Sequence, residues 1–528
     1  MKVRLGLKPA VLALLLLISL RTSVLACQEF TGYNTSLCID YFANAYFRLS
    51  QIAGPINRTL FNAQTGQFFT RHADQLEFQR NQLSLTLDSS PNFASDLAGF
   101  PIRFHLRINP WYDSTYDVTG WGQGMYHNPL SDQLSTNLNG RMAEMYDPLF
   151  REYYVDLHPK HFFIRIGRQI VAWGKSDGFY ILDILNNFNL VNPEIFNEQD
   201  VKIPNWMINA TWNVTNTGSL QALIIPVYIP SYYAGYQIQG NKAVQGGYGD
   251  FTYNIISYFN NFYNGSYGYK VPIYVRNPTA SRINNWQYGL RWDDTAGPLH
   301  YTLNYFYTYT TSMVQYANTG NFDTATSADF RPHRMTVAGG SADYELNSGN
   351  WLDGTVLRAE SAIYNGDQYY MGLVGNPVSV THWPTMLAVD RDILGDYLDR
   401  PFFASVQYYQ DVVVKRNDSV AGSGPYTNMY QAYGFAGGHS GLRGPYYSAS
   451  TFFLYKTWLA GDTLTTQFAG VYEWEFQDWW LQPQVSFRYD DKTTFVTGFN
   501  IFAGQRQTTY GQFTNNSNIF FELHRVIF

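Results

Sequence analysis

The chain has 528 residues and a formal net charge of −6; 14% of its residues are charged and 18% aromatic, with 43 Tyr and 43 Gly. An acidic balance implies no polyanion-binding surface, so no nucleic-acid partner is expected, and two cysteines are too few for a disulfide scaffold or a cysteine metal site. Beyond residue 26 there is no run of about 18 or more apolar residues, which excludes a helical membrane span.

Residues 1–26 read as a secretory signal. Lys2, Arg4 and Lys8 form the basic start, Val11 to Leu20 the apolar stretch, and Val24-Leu25-Ala26 a small-residue cleavage site. Removing it deletes Lys2, Arg4, Lys8 and Arg21 and no acidic residue, which moves the net charge from −6 to −10. The exported chain then starts near Cys27. A lipoprotein box at Val24-Leu25-Ala26-Cys27 is the alternative, although Leu25 is bulky for that position. Two cysteines in an exported protein are most simply a bridge, so a Cys27–Cys38 disulfide is expected. Residues 27–75 are expected to be a periplasmic or lumen-plugging segment, and 76–528 the main domain.

That domain alternates. In 101–109, Ile102, Phe104, Leu106 and Ile108 share one face and Arg103, His105 and Arg107 the other. In 162–167, Phe162, Ile164 and Ile166 oppose Phe163, Arg165 and Gly167. In 299–310, Tyr301, Leu303, Tyr305, Tyr307 and Tyr309 oppose Thr302, Asn304 and Thr308. In 354–366, Leu357, Ala359 and Ile363 oppose Arg358 and Glu360; in 480–489, Leu481, Val485 and Phe487 oppose Gln482, Gln484, Ser486 and Arg488. Apart from 162–167, each segment is near the roughly 9–11 residues of a tilted strand crossing a bilayer. An aromatic-rich soluble β-protein, such as a carbohydrate-binding sandwich, shares the composition, but this recurrence of length and alternation favours a transmembrane antiparallel β-barrel.

Turn signals support the barrel. Residues 293–298, 460–462 and 490–491 look like tight connections, whereas 364–401 and 415–445 look like long loops rich in Gly, Asn, Asp and Pro. The alternation predicts about 16 strands, with a range of 14–18. The last alternating segment stops on Phe528, which resembles the assembly signal of bacterial outer-membrane barrels.

Gly167-Arg168-Gln169, Trp173-Gly174, Asp183, Asn192-Pro193 and Lys202 with Pro204 resemble the signature of a large porin-like family of Gram-negative outer-membrane proteins. Gly498, Gly504, Gln512-Phe513 and Asn518 are similar to that family's last pair of strands. The resemblance implies a β-barrel in the outer membrane and no particular substrate. The segment 27–38 and the aromatic stretch 41–47 do not map onto it.

The turn-rich stretch after the strand at 162–169 is expected to fold over or into the lumen, because unpaired backbone survives at membrane depth only inside a barrel. Gly167 would mark a bulge that turns Arg168 inward beside Arg165; an Arg facing hydrocarbon at mid-depth costs about 2–4 kcal/mol. Residues 173–204 would form a constriction in which Asp183, Asn186, Asn187, Asn189 and Lys202 meet the solute, or Arg168 would pair with Asp183 and pin the loop. The expected pore-lining residues are Arg103, His105, Arg107, Arg165, Arg168, Asp183, Lys202, Arg358, Glu360 and Arg488. The arginines form either a basic ladder for anions or scaffolding neutralised by Glu152, Asp156 and Glu360.

Enzyme motifs are weak. Gly438-His439-Ser440-Gly441 lacks the second glycine of a nucleophile elbow, where Leu442 stands. Residues 390–396 have acidic spacing without the other ligands of a calcium loop. No cofactor is expected. The leading reading is a channel for small solutes; the alternative is a non-conducting barrel that acts through its external loops. Expected partners are outer-membrane lipid, an unidentified solute, the barrel assembly machinery through the terminal strand, and a second copy in a homo-oligomer.

Overall fold

A computed structural model describes residues 27–30, 34–48, 56–62, 67–73, 77–109, 111–112, 150–190, 201–233, 237–239, 242–244, 273–311, 314–319, 327–347, 349, 352–371, 377–393, 400–417, 429–431, 442–443, 446–459, 463–504, 510–511, 514 and 517–527. The signal segment 1–26, Asn192-Pro193, Gly438 to Gly441, Gln512-Phe513 and Phe528 lie outside the described residues.

Eighteen antiparallel strands close into one barrel. In chain order they are β1 Thr35–Arg48, β2 Glu77–Ser89, β3 Ile102–Ile108, β4 Phe150–Leu157, β5 Phe162–Gln169 and β6 Asn205–Asn213. There follow β7 Ser219–Ile225, β8 Gln287–Ala296, β9 Leu299–Tyr309, β10 Arg334–Leu346, β11 Thr355–Met371 and β12 Pro377–Ile393. The last six are β13 Phe402–Asn417, β14 Tyr446–Trp458, β15 Leu464–Glu473, β16 Asp478–Asp490, β17 Thr493–Ala503 and β18 Asn518–Val526. Each strand pairs with the next, and β18 returns to β1 through Asp40↔Val526 to Arg48↔Asn518. The count stands at the upper end of the expected range.

Closure leaves no unpaired edge for lipid to meet. The outer face is the apolar row of each strand: Leu303, Leu387 and Val406 each present 59% of their surface outward. Aromatic side chains flank that band, with Trp212, Trp458 and Tyr489 towards one rim and Tyr307, Trp383 and Tyr446 towards the other. A greasy band between aromatic girdles on a closed sheet is the outside of an outer-membrane barrel, and that membrane is where the protein resides.

The rims differ. Residues 158–161, 214–218, 297–298, 459–463 and 491–492 are short connections on one side, which is the periplasmic side in barrels of this kind. On that side the link between β2 and β3 also carries a short helix, α1 Asn92–Ala98. The opposite rim carries the long connections, including 109–149, 170–204, 226–286 and 418–445.

Two expectations are corrected here. The segment 27–75 is not set apart from the barrel, because Thr35–Arg48 is a wall strand paired with both β2 and β18. Its aromatic stretch belongs to the alternation, with Ile39 and Tyr41 in the outer row and Asp40 and Phe42 in the inner one. Residues 364–401 are not one loop: they hold the top of β11 and all of β12, with only 372–376 between the two strands. Gly366, Asp367, Pro377 and Pro384 imitate a loop, but register shifts beside Asn365 and His382 absorb them within the sheet.

The disulfide between Cys27 and Cys38 is present, with 4.4 Å between the Cα atoms. It uses the Cys27 sulfur that a lipid anchor would need.

Candidate functional site

The interior is built around residues 170–188, a strap without regular secondary structure that leaves the top of β5 and enters the barrel. Its apolar side chains drive this. Val171, Trp173, Phe179, Ile181, Leu182, Ile184 and Leu185 pack into one core with inward residues of the wall, among them Phe306, Val337, Ala362, Met386, Tyr409 and Tyr447. Trp173 meets Phe306 at 4.4 Å between ring centroids, and Phe179 stacks on Tyr409 at 4.5 Å. At the tip Gly178 lies against Thr451 of β14, half-way round the eighteen-strand ring from β5.

Polar contacts pin the strap at intervals. A chain of amides runs over the wall from Gln169 through Asn209 to Gln221, whose side-chain oxygen accepts the Trp173 indole N–H at 2.8 Å. Glu360, 1% exposed, accepts the backbone N–H groups of Lys175, of Ser176 at 3.0 Å and of Leu182 at 2.7 Å. Buried backbone donors need acceptors, and one carboxylate here supplies three. Gly174 makes room for it: its φ is +103°, and a Cβ there would come within 2.7 Å of a Glu360 oxygen. The Tyr364 hydroxyl donates to the Ile181 carbonyl, and the Gln407 amide exchanges two hydrogen bonds with the Asp177 backbone.

Charge collects below the strap. Arg358 donates to the Lys175 carbonyl, to Asp177 at 2.7 Å and to Asp390. Lys175 pairs with Asp343 at 2.8 Å, and His300 bridges Asp343 and Asp293 at 2.9 Å each. Asp177, with 68% of its side chain exposed, projects from the strap tip into the lumen.

Beyond its root, where the Ile170 N–H donates to Glu152 of β4 at 3.1 Å, the strap is held by groups from β7 to β14; on β1 to β5 the wall carries a ladder of its own. Asp88 pairs with Arg103 and His105, each at 2.9 Å. The His105 ring stacks on Tyr154 at 4.5 Å, and the Arg165 guanidinium lies 3.8 Å from the Tyr154 ring centre. Arg165 in turn makes a two-pronged bond to Asp156 at 2.6 and 2.9 Å. Arg107 donates to Ser84 at 3.3 Å and has Glu152 at 3.9 Å. Arg103 keeps 51% of its side chain exposed. The ladder is therefore a row of neutralised pairs with water-accessible edges.

The model of a family described as protein of unknown function DUF1302 matches residues 8–382, which hold the strap and the β1–β5 ladder. The chain belongs to this family. No curated protein matches it. Among solved structures, OccK5 (OpdH) of Pseudomonas aeruginosa is 7% identical with a TM-score of 0.42, the match covering 94% of this chain and 98% of that one. A BenF-like porin from Pseudomonas fluorescens Pf-5 is 8% identical with a TM-score of 0.40, covering 93% and 97%. The outer membrane channel DcaP of Acinetobacter baumannii is 6% identical with a TM-score of 0.36, covering 95% and 99%.

In this DUF1302 protein the polar residues expected to face solute mostly do internal work. Lys202 is 2% exposed and bonded to Asp183, which also accepts the Trp173 backbone N–H at 3.3 Å. Asn186 is fully buried and satisfies the Val171 N–H and the carbonyls of Gln169 and Ile203. Asn187 donates to the Ile229 carbonyl. The Asn189 side chain lies outside the described residues. Glu360 holds backbone instead of neutralising an arginine.

The bulge at Gly167 is corrected as well. Pairing runs through Tyr154↔Gly167 and Met207↔Gly167 with no inserted residue. The peculiarity is φ +138° at Gly167, where a Cβ would lie 2.4 Å from the Tyr153 carbonyl oxygen. Register keeps Arg168 in the outer row between Tyr153 and Trp206, yet only 3% of it is exposed. Those two rings meet edge-on at 5.1 Å, and the Arg168 Nε–H donates to the Pro204 carbonyl at 3.2 Å. Its charge thus escapes hydrocarbon by turning up towards the strap's root.

Arg488 shares the inner row of β16 with Gln482, Gln484 and Ser486, near the periplasmic rim. Asp390, the first residue of the acidic 390–396 stretch, is taken by Arg358 within β12. Among the described residues no three His, Cys, Asp or Glu side chains are placed to hold a metal ion. Sequence reasoning missed Lys175, Asp177, His300 and Asp343, because residues far apart in the chain meet only when the strap is docked.

Proposed function

We propose that the protein is a channel through which small solutes cross the outer membrane, with its passage between the strap and the β1–β5 wall. One observation carries this reading: beyond its root, where Ile170 meets Glu152, the strap is held by β7 to β14, and the ladder of Arg103, His105, Arg107 and Arg165 with Asp88, Glu152 and Asp156 keeps water-accessible edges on the other side. Arg358 and Asp177 line the strap's side of the same passage, and Arg488 its periplasmic mouth. Asp183, Lys202 and Glu360 act one layer back, by holding the strap in place. Because the arginines are paired, the passage discriminates by shape and by fixed dipoles more than by net charge, and anion preference is weak. The chemistry is transport and not catalysis.

The signature residues of the strand-to-strap junction fit this reading. Gly167 permits close strand approach, Gln169 begins the amide chain, Trp173 anchors the strap, and Gly174 admits the Glu360 carboxylate. The motif is thus the root of a lumen strap.

The extent of the strap's apolar core favours a second reading, in which the barrel does not conduct and acts at the cell surface. Reconstitution in a planar bilayer separates the two. Step-like currents support the channel; a folded but silent barrel rejects it.

A further inference from the structure

Seventeen of the barrel's pairings join strands consecutive in the chain, so a connection between them limits their register. The seam between β1 and β18 has no such connection. A one-residue slip there would turn the inner row out to lipid, but a two-residue slip preserves the faces and escapes that check.

A short strand fills the place where such a slip would go. On one edge of β1, β18 pairs from Arg48↔Asn518 down to Asp40↔Val526, and the Ile527 N–H donates to the Ile39 carbonyl at 2.7 Å. On the same edge, immediately beyond, Gln28–Phe30 pairs as Gln28↔Leu37, Glu29↔Ser36 and Phe30↔Thr35. The other edge of β1 is already taken by β2, from Thr35↔Ser89 onwards. The Cys27–Cys38 bridge sits at the junction, one residue before Gln28 on one strand and between Leu37 and Ile39 on the other.

We infer that this disulfide-stapled strand is a register stop for barrel closure. For β18 to slide two residues towards the periplasmic rim, Val526 would have to face Cys38, and the chain beyond it would have to displace Gln28 from Leu37. A three-pair ribbon alone is marginal and would fray from the edge. The bridge keeps it seated, so the stop works only when the cysteines are joined.

The test places a benzophenone amino acid at position 41, in the outer row, and maps its photo-cross-link in protein purified from outer membranes. The native register puts Arg525 opposite it, and the slipped register puts Leu523 there. The oxidised protein should cross-link to Arg525. In Cys27→Ser/Cys38→Ser, and in a chain lacking 27–33 with Cys38→Ser, a second population should cross-link to Leu523, with a several-fold lower yield of folded barrel. A single Arg525 product at wild-type yield in both variants overturns the proposal. Should neither variant accumulate, the wild-type chain refolded into detergent with and without reductant decides: mixed register under reductant supports the stop, and one native register in both conditions rejects it.

Discussion

Glu360→Gln tests whether one carboxylate latches the strap. The carboxylate meets Lys175 and Ser176 through one oxygen and Leu182 through the other. An amide has a single acceptor oxygen, so at least one strap N–H would face an NH2 group and stay unsatisfied, at a cost of about 1–3 kcal/mol. The surviving bonds also weaken by about 1 kcal/mol each once the charge is gone. Burying a neutral amide instead of an anion gives part of this back, since an ion's desolvation is worth several kcal/mol. The net weakening is about 1–3 kcal/mol, and at about 1.4 kcal/mol per tenfold the strap should leave its seat about five to a hundred times more often. Hydrogen exchange of 170–188 in detergent-solubilised barrel should accelerate by that factor, and single-channel traces should show larger or noisier open levels. Gly174→Ala, which pushes the same carboxylate away, should reproduce both effects, and the double variant should add little. Unchanged exchange and unchanged conductance in Glu360→Gln would refute the latch.

Other substitutions probe other parts of the interior. Trp173→Ala removes the ring on Phe306 and the bond to Gln221; it should lower stability by about 3–5 kcal/mol, read as the temperature at which the unheated barrel loses its fast electrophoretic mobility. Asp177→Asn removes the most exposed charge of the strap, and should shift the reversal potential in a salt gradient towards anions while leaving that temperature unchanged. Arg103→Ala/Arg107→Ala should shift the reversal potential only slightly, because both arginines already face carboxylates; a large loss of anion permeability would restore the basic ladder. Above the membrane, burial and then the nearby Arg331 hold His333 below its usual pKa of about 6.5. Its neutral form is therefore favoured in the fold, the contribution to stability is complete above that value, and it is lost as pH falls through the lower folded pKa. Protection of 314–319 and 327–331 against exchange, corrected for the base-catalysed intrinsic rate at each pH, should be lower at pH 5 than at pH 7, and His333→Gln should remove the difference.

The wall was legible wherever each strand obeyed one period and each face met one solvent. Residues 299–309 show it: Leu303 and Tyr305 lie outward while Thr302 and Asn304 are buried inward. Legibility failed where the inside was not water. In β11 and β12 the inner row carries a buried His382 between Asp367 and Asp411, at 3.0 and 2.9 Å, and nearby register shifts take up Gly366. Polar, glycine- and proline-bearing sequence normally marks a turn; here it marks a satisfied polar cluster packed inside the sheet. β1 was missed for another reason. Its pairing partner β18 lies at the far end of the chain, and no local signal states that two distant strands close a ring.

The strap shows the same division more sharply. That residues after Gln169 must leave the wall followed from backbone chemistry alone, and the structure obeys it. Its face was misjudged, because Asn186, Asn187 and Lys202 look like groups meant for solute when only their polarity is considered. An irregular segment inside a barrel exposes peptide N–H and C=O groups along its whole length, and every buried one needs a partner. Polar side chains near it are consumed first by that demand: Asn186 serves three backbone groups, Glu360 serves three, and Lys202 is matched to Asp183. What remains for solute is whatever the backbone did not need, and that is decided by distance across the lumen. In the proposed channel Asp177 and the β1–β5 ladder are the candidates on that ground, although one lies in the turn-rich stretch and the other in plain alternating strand.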